Sequence, residues 1–237
     1  MLAIFKREFR AYFTGGIGWV FCAVFALVMN FFYYLNCIEY YKTNFIPLFT
    51  WMLMLLTFLV PLMTMRIWSE EKKQKIDQLL LTVPISTMEI VLGKFFAALC
   101  VFLVALSTTL LFPLFTLIFG TEGSFQPGII IGNYVAMILA ASAYIAIAQF
   151  MSSLTESQIV SAILSMFSLS IFLLLNVVFT FTESDFMAKI VEFFSIMTRF
   201  VTYLHGIFSV SDAIFYISLT ALFLFFTGQV IEKRRWN

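Results

Sequence analysis

An all-α polytopic membrane protein with six transmembrane helices is the fold class this sequence predicts, on three observations. Of 237 residues, 62% are apolar and 11% charged, with a mean hydropathy of +1.01, against about 45–50% apolar in soluble domains. The apolar residues fall into uncharged runs of bilayer length, since about 20 residues at about 1.5 Å each cross the hydrocarbon layer. The charges gather at the borders of those runs. Nine of them, Arg66, Glu70, Glu71, Lys72, Lys73, Lys75, Asp77, Glu89 and Lys94, lie in the one stretch 66–94. The pattern predicts a single membrane domain over residues 1–237.

Each element follows in order. In residues 2–13, Leu2, Phe5, Phe9 and Tyr12 or Phe13 recur at spacings of three and four, with Lys6, Arg7, Glu8 and Arg10 between them. This is the pattern of an amphipathic helix lying in the membrane interface. Gly15, Gly16 and Gly18 then break the helix, and residues 17–37 form the first span. The second span is expected over 46–65, with Pro47 in the first turn, where a missing N–H costs nothing. Pro61 should kink it, and Arg66 and Trp68 should anchor its end among the headgroups. The third span is expected over 95–119, with a kink at Pro113, and the fourth over 129–151. Gly128, Gly132, Ala136 and Ala140 line one face of the fourth at a four-residue spacing, which predicts close helix packing. The short link 152–157 brings the fifth span, 158–180, back antiparallel.

Residues 182–212 are too charged to cross and too apolar for a free loop. Phe186, Ile190, Phe193 and Met197 recur at helical spacing, and Asp185 and Lys189 form an i,i+4 pair. The pattern predicts one or two amphipathic helices dipping partly into the membrane, re-entrant on the outer side, ahead of the last span at 213–231. Lys and Arg decide the orientation. With the N-terminus inside, Lys6, Arg7, Arg10, Arg66, Lys72, Lys73, Lys75, Lys94, Lys233, Arg234 and Arg235 lie on the inner side, and Lys42, Lys189 and Arg199 lie outside. The expected location is the cell inner or plasma membrane, multi-pass, with both termini cytoplasmic and no cleaved signal peptide.

Several chemistries lack their residues. One histidine, His205, cannot build a cluster of histidine ligands, and Cys22, Cys37 and Cys100 fit neither a disulfide framework nor a zinc site. No serine nucleophile elbow occurs. Gly93-Lys94 resembles the end of a phosphate loop, but Phe95 replaces the required Ser or Thr. No cofactor is therefore expected in this chain, and it is not expected to be an enzyme. A net charge of +1 with scattered basic residues gives no nucleic-acid stripe. Between their expected ends the spans carry no Asp, Glu, Lys, Arg or His, which argues against ion-coupled transport. Asn30, Ser161, Ser165, Ser168 and Asn176 are among the polar residues inside them. Interhelical hydrogen bonding is their simplest role, and a mildly polar path for an amphipathic substrate is the alternative.

Ser69-Glu-Glu-Lys-Lys-Gln74, Gln78-Leu-Leu-Leu-Thr82, Pro84-Ile-Ser86 and Glu89-Ile-Val-Leu-Gly-Lys94, set between spans two and three of six, resemble the ABC-2 type permease family. The 153–158 link, Ser-Leu-Thr-Glu-Ser-Gln, and the His205 to Asp212 stretch resemble its gliding-motility and nitrous-oxide-reductase-maturation branch. The resemblance implies a cytoplasmic coupling helix, here Glu70 to Leu81 and ended by Pro84, that docks on a separate ATPase subunit holding ATP and Mg. Carried onto this chain, the coupling residues are Glu70, Glu71, Gln74, Ile76, Asp77, Gln78, Leu79, Leu80, Leu81 and Pro84. It also implies a second permease chain, as homo- or heterodimer, and a function in ATP-driven export or extrusion across the lipid bilayer. A non-transporting scaffold driven by the same kind of ATPase is the alternative, and it calls for an extracellular accessory protein.

Overall fold

A computed structural model describes residues 1–38, 45–73, 86–119, 127–180 and 195–235. Among them the protein is all α-helix apart from turns and one π-helical turn, with no strand. The helices are α1 (Leu2–Thr14), α2 (Ile17–Tyr33), α3 (Ile46–Thr64), α4 (Arg66–Lys73), α5 (Thr87–Thr108), α6 (Leu111–Phe119), α7 (Pro127–Leu154), α8 (Gln158–Thr180), α9 (Ile196–Leu204) and α10 (Val210–Arg235). Six helical stretches are long and apolar enough to cross a membrane: Ile17–Asn36, Ile46–Lys73, Thr87–Ile118, Pro127–Leu154, Gln158–Leu175 and Val210–Lys233. The chain is a multi-pass membrane protein.

The bundle is organised around α7, which packs against α3, α8, α9 and α10. Its middle is a run of small residues, and Ala136, Ala140, Ala141, Ala143, Ala146 and Ala148 are all fully buried. In a membrane, apolar surface gains little by leaving lipid, so helices associate through close van der Waals contact, which small side chains permit. Tyr144, on the same helix, is likewise fully buried. The expected stripe is divided: Ala136 and Ala140 carry packing within the chain, whereas Gly128 is exposed, Gly132 half-buried, and a Cβ on either would meet nothing within 4 Å.

The prolines behave differently from one another. Helix α3 runs through Pro61 without interruption. The third span breaks at Thr109 and Leu110, four and three residues before Pro113, and resumes as α6. Pro113 cannot donate to Thr109, whose carbonyl instead accepts from Phe112 N–H at 3.0 Å. The third span also starts earlier than 95. Ser86 caps α5 by accepting from the Glu89 N–H at 3.2 Å, and the helix is continuous from Thr87 through Lys94.

At the opposite end of the bundle from α1, α9 is tied to the last span. Arg199 donates to Asp212 at 2.7 Å and lies 4.3 Å over the Phe215 ring, and Tyr216 donates to the Ile196 carbonyl at 2.9 Å. This pair explains why α10 begins at Val210 rather than at 213: Asp212 enters the helix with its charge matched. The amphipathic pattern around Phe186, Ile190 and Phe193 lies outside the described residues.

Candidate functional site: an ionic joint at the base of the second and third spans

Helix α1 lies across α5 and α2. Its aromatic residues form a ladder, with Phe5 stacked on Phe9 at 6.0 Å, Phe9 against Phe13 at 5.1 Å and Phe13 edge-on to Trp19 at 5.3 Å. Gly93 allows the close crossing, since a Cβ there would meet the Ile4 side chain at 3.1 Å. The next residue, Lys94, reaches the same place with a charge.

The Lys94 side chain is 1% exposed. Its ammonium donates to Glu71 Oε1 at 2.8 Å, the Ile67 carbonyl at 3.1 Å and Glu8 Oε1 at 3.3 Å, and lies 4.9 Å from the Trp68 ring centre. Arg7 closes the group from outside, donating to Glu8 at 2.5 Å and to Glu71 at 3.1 Å through Nη2. One buried cation thus fastens α1, α4 and α5 together. A charge so placed survives only when paired and hydrogen-bonded, because its desolvation is otherwise prohibitive. Burial alone would raise the Glu8 carboxyl, but Lys94 and Arg7 outweigh it and hold that carboxyl below its ordinary value. Burial, helped by the Glu8 charge, pushes the nearby Tyr12 hydroxyl far up.

Helix α4 has a second attachment, to the last turn of α7. Lys72, 6% exposed, donates to the Ser153 carbonyl. The Trp68 N–H donates to Ser152 Oγ at 3.3 Å, and that hydroxyl donates to the Met65 carbonyl at 3.2 Å. Gln149 Nε2 donates to the Val91 carbonyl at 3.1 Å, bridging α7 and α5. The short segment Arg66–Lys73 is therefore bonded to α1 and to the bases of α5 and α7.

The residues expected from sequence fall as follows. Glu70 and Glu71 lie on α4, Glu70 bound by Arg66 Nη2 at 2.7 Å and Glu71 in the joint. Gln74, Ile76, Asp77, Gln78, Leu79, Leu80, Leu81 and Pro84 lie outside the described residues. Ser161 and Ser165 are fully buried, and Ser165 donates to the Ser161 carbonyl at 2.7 Å and to the α7 carbonyl of Ala148 at 3.4 Å. Ser168 is half-buried. Asn30 is exposed and donates to the Ala26 carbonyl at 2.7 Å. The side chain of Asn176 lies outside the described residues. His205 is exposed at the end of α9. Among the described residues no cluster of His, Cys, Asp or Glu could hold a metal ion.

Sequence reading missed Glu8, Lys72 and Lys94 as partners in one structure. The signal available for Lys94 was its position directly after Gly93 within an otherwise apolar helix.

A model of the ABC-2 family transporter proteins matches residues 6–172, more than two thirds of the chain. The chain belongs to the ABC-2 transporter family. No curated protein matches it. The ABC-2 match begins inside α1 and ends inside α8, so it contains the whole ionic joint. As an ABC-2 protein the chain is a permease component of an ABC transporter, a membrane part rather than the ATPase.

Proposed function

We propose that the chain is the membrane subunit of an ATP-driven exporter in which the segment from Glu70 to Leu81 docks on a separate ATPase subunit carrying ATP and Mg. Two permease chains complete the transporter. The face bearing α1 is cytoplasmic, as are both termini, which agrees with the distribution of Lys and Arg. The narrower resemblance to the gliding-motility and nitrous-oxide-reductase-maturation branch rests on the 153–158 link and the stretch before α10.

The observation that carries this reading is the double attachment of α4. A docking segment is useful only if displacement of its partner reaches the spans. Its first residues and those just before it are bonded through Glu71 and Ile67 to Lys94 of α5 and through Lys72 and Trp68 to the last turn of α7. A push arriving at Lys73 therefore acts on the third and fourth spans as well as the second. Coupling of this kind needs packed, hydrogen-bonded contact rather than a flexible tether.

Copurification from the native host tests it. A stoichiometric ATP-binding protein should accompany the wild-type chain and be lost on Leu80→Asp or Asp77→Arg. Lys94→Met should keep that partner while transport in vesicles falls. Retention of both association and ATPase activity in the first two variants would refute the docking assignment. Vesicle assays with candidate lipids and peptides separate export from a scaffold role, since a scaffold moves neither.

A further inference from the structure

Two clefts meet at the corner where α1 turns into α2. One, of about 310 Å3, is walled by α1, α3 and α4 and includes Arg7, Glu8, Arg66, Glu70 and Glu71. The other, of about 410 Å3, runs between α2 and α3 and is lined by apolar groups that include Val20, Val24, Leu59 and Leu62. Gly15, Ile17 and Met63 line both. At Gly16 the backbone takes φ +80, where glycine is favoured, and a Cβ there would meet nothing within 4 Å. Gly15 and Gly16 thus put no side chain into the corner where the clefts meet. A polar chamber opening into an apolar slot has the shape and polarity of an amphiphile.

The charge pattern narrows the amphiphile. Arg7, Arg66 and the adjoining Lys94 are balanced by Glu8, Glu70 and Glu71. Arg7 and Arg66 bind their carboxylates through Nε and Nη2, which leaves Nη1 of each without a carboxylate among the described residues. A phosphodiester accepts well from such groups. On the other side, Glu71 Oε2 and the Tyr12 hydroxyl are buried without a hydrogen-bond partner, and a nearby ammonium or its hydration water would lower that cost. A site of balanced charge favours a zwitterion over an anionic lipid. Arg66 stands where the apolar part of the second span ends, and Arg7 stands on the amphipathic α1, positions suited to headgroup depth.

We infer that this corner binds one phosphatidylethanolamine molecule, with its phosphate between Arg7 and Arg66, its ammonium toward Glu71, and an acyl chain in the groove between α2 and α3. The combined cavity is of the size usual for small-ligand sites. Bound there, the lipid would brace α1 against α3 and α4 beside the joint. The inference concerns the membrane face of this chain and does not depend on which ATPase docks.

Native mass spectrometry of the delipidated full-length chain tests it. Phosphatidylethanolamine or phosphatidylglycerol of the same acyl chains is added back, with inorganic phosphate as a third arm. The expected result is a single phosphatidylethanolamine adduct retained about tenfold better than phosphatidylglycerol and not displaced by phosphate. Val24→Trp, at a 40% exposed position that tolerates bulk, should fill the slot, and Arg66→Gln should remove one phosphate donor. Each should lower retention about tenfold while thermal melting stays that of the wild type. Equal retention of the two lipids, displacement by phosphate, or adducts unchanged in both variants would overturn the inference. A change of oligomeric state in Val24→Trp with lipid binding unaltered would do so too, assigning the groove to a second copy of the chain.

Discussion

Replacing Lys94 by Met tests the joint at its centre. The substitution keeps most of the side-chain volume and removes one ammonium that serves two carboxylates and a carbonyl at 2.8–3.3 Å. Glu8 and Glu71 are only 16% and 15% exposed, so both would remain largely desolvated beside each other. Removing one partner of a buried ion pair costs about 3–5 kcal/mol. Arg7 still bridges both carboxylates from its half-exposed position, which argues for the lower end, about 3 kcal/mol. That corresponds to about a hundredfold or more in an opening equilibrium. Because α1 is a short terminal helix on the outside of the bundle, the loss should appear as local detachment of α1 before global unfolding. Amide hydrogen exchange across Leu2–Thr14 in nanodiscs reads this directly. Adding Glu71→Gln to Lys94→Met should restore part of the protection, because one uncompensated charge is gone, giving a coupling of about 0.5–3 kcal/mol in a double-mutant cycle. A change of less than about threefold in Lys94→Met, or strict additivity of the two substitutions, would show that the ammonium does not hold α1.

The same joint should depend on pH. The Glu8 carboxyl lies below its ordinary value of 4.5, so its contribution is full above that value and is lost as pH falls through the lowered one. Exchange across α1, corrected for intrinsic rate, should rise on acidification below pH 4.5, and Glu8→Gln should remove the step; a step that persists in the variant would assign it to another group. At the other end of the bundle, Arg199→Met leaves Asp212, 11% exposed, without its 2.7 Å partner and removes the contact over Phe215. The expected loss is about 3 kcal/mol, read as a lower melting temperature that Asp212→Asn partly restores. An unchanged melting curve would refute it.

The spans were legible because bilayer crossing imposes length and neutrality on a helix, and both are properties of contiguous sequence. The helix α1 and the break before Pro113 were legible for the same reason, being set by local periodicity and by one missing N–H. Lys94 was not. Read alone it marks a membrane border, which places the third span after it, whereas α5 in fact begins at Thr87. The partners that let it be buried, Glu71 and Glu8, stand 23 and 86 residues away, and no window contains them. The stripe on α7 shows a related limit. A four-residue spacing tells which residues share a face but not how far along it a neighbour extends, so Ala136 and Ala140 are buried while Gly128 and Gly132 are open. Ser161 and Ser165 do share a face, and it is turned toward α7.

The position of the helix break bears on how a displacement at α4 would travel. Near the joint, α3 continues through Pro61 and α5 is unbroken from Thr87 to Thr108, while Lys94, Lys72 and Gln149 cross-link the surrounding elements. The turn at Met65 between α3 and α4 is spanned by these bonds, so this end of the bundle would move as a block. The interruption at Thr109 and Leu110 lies beyond it, at the far end of α5. There Tyr134 donates to the Thr109 carbonyl at 2.8 Å, and Tyr33 stacks on Phe112 at 4.4 Å. A block pushed from the α1 side would therefore bend the third span at residues 109–110, against α2 and α7, at the end of the bundle opposite α1.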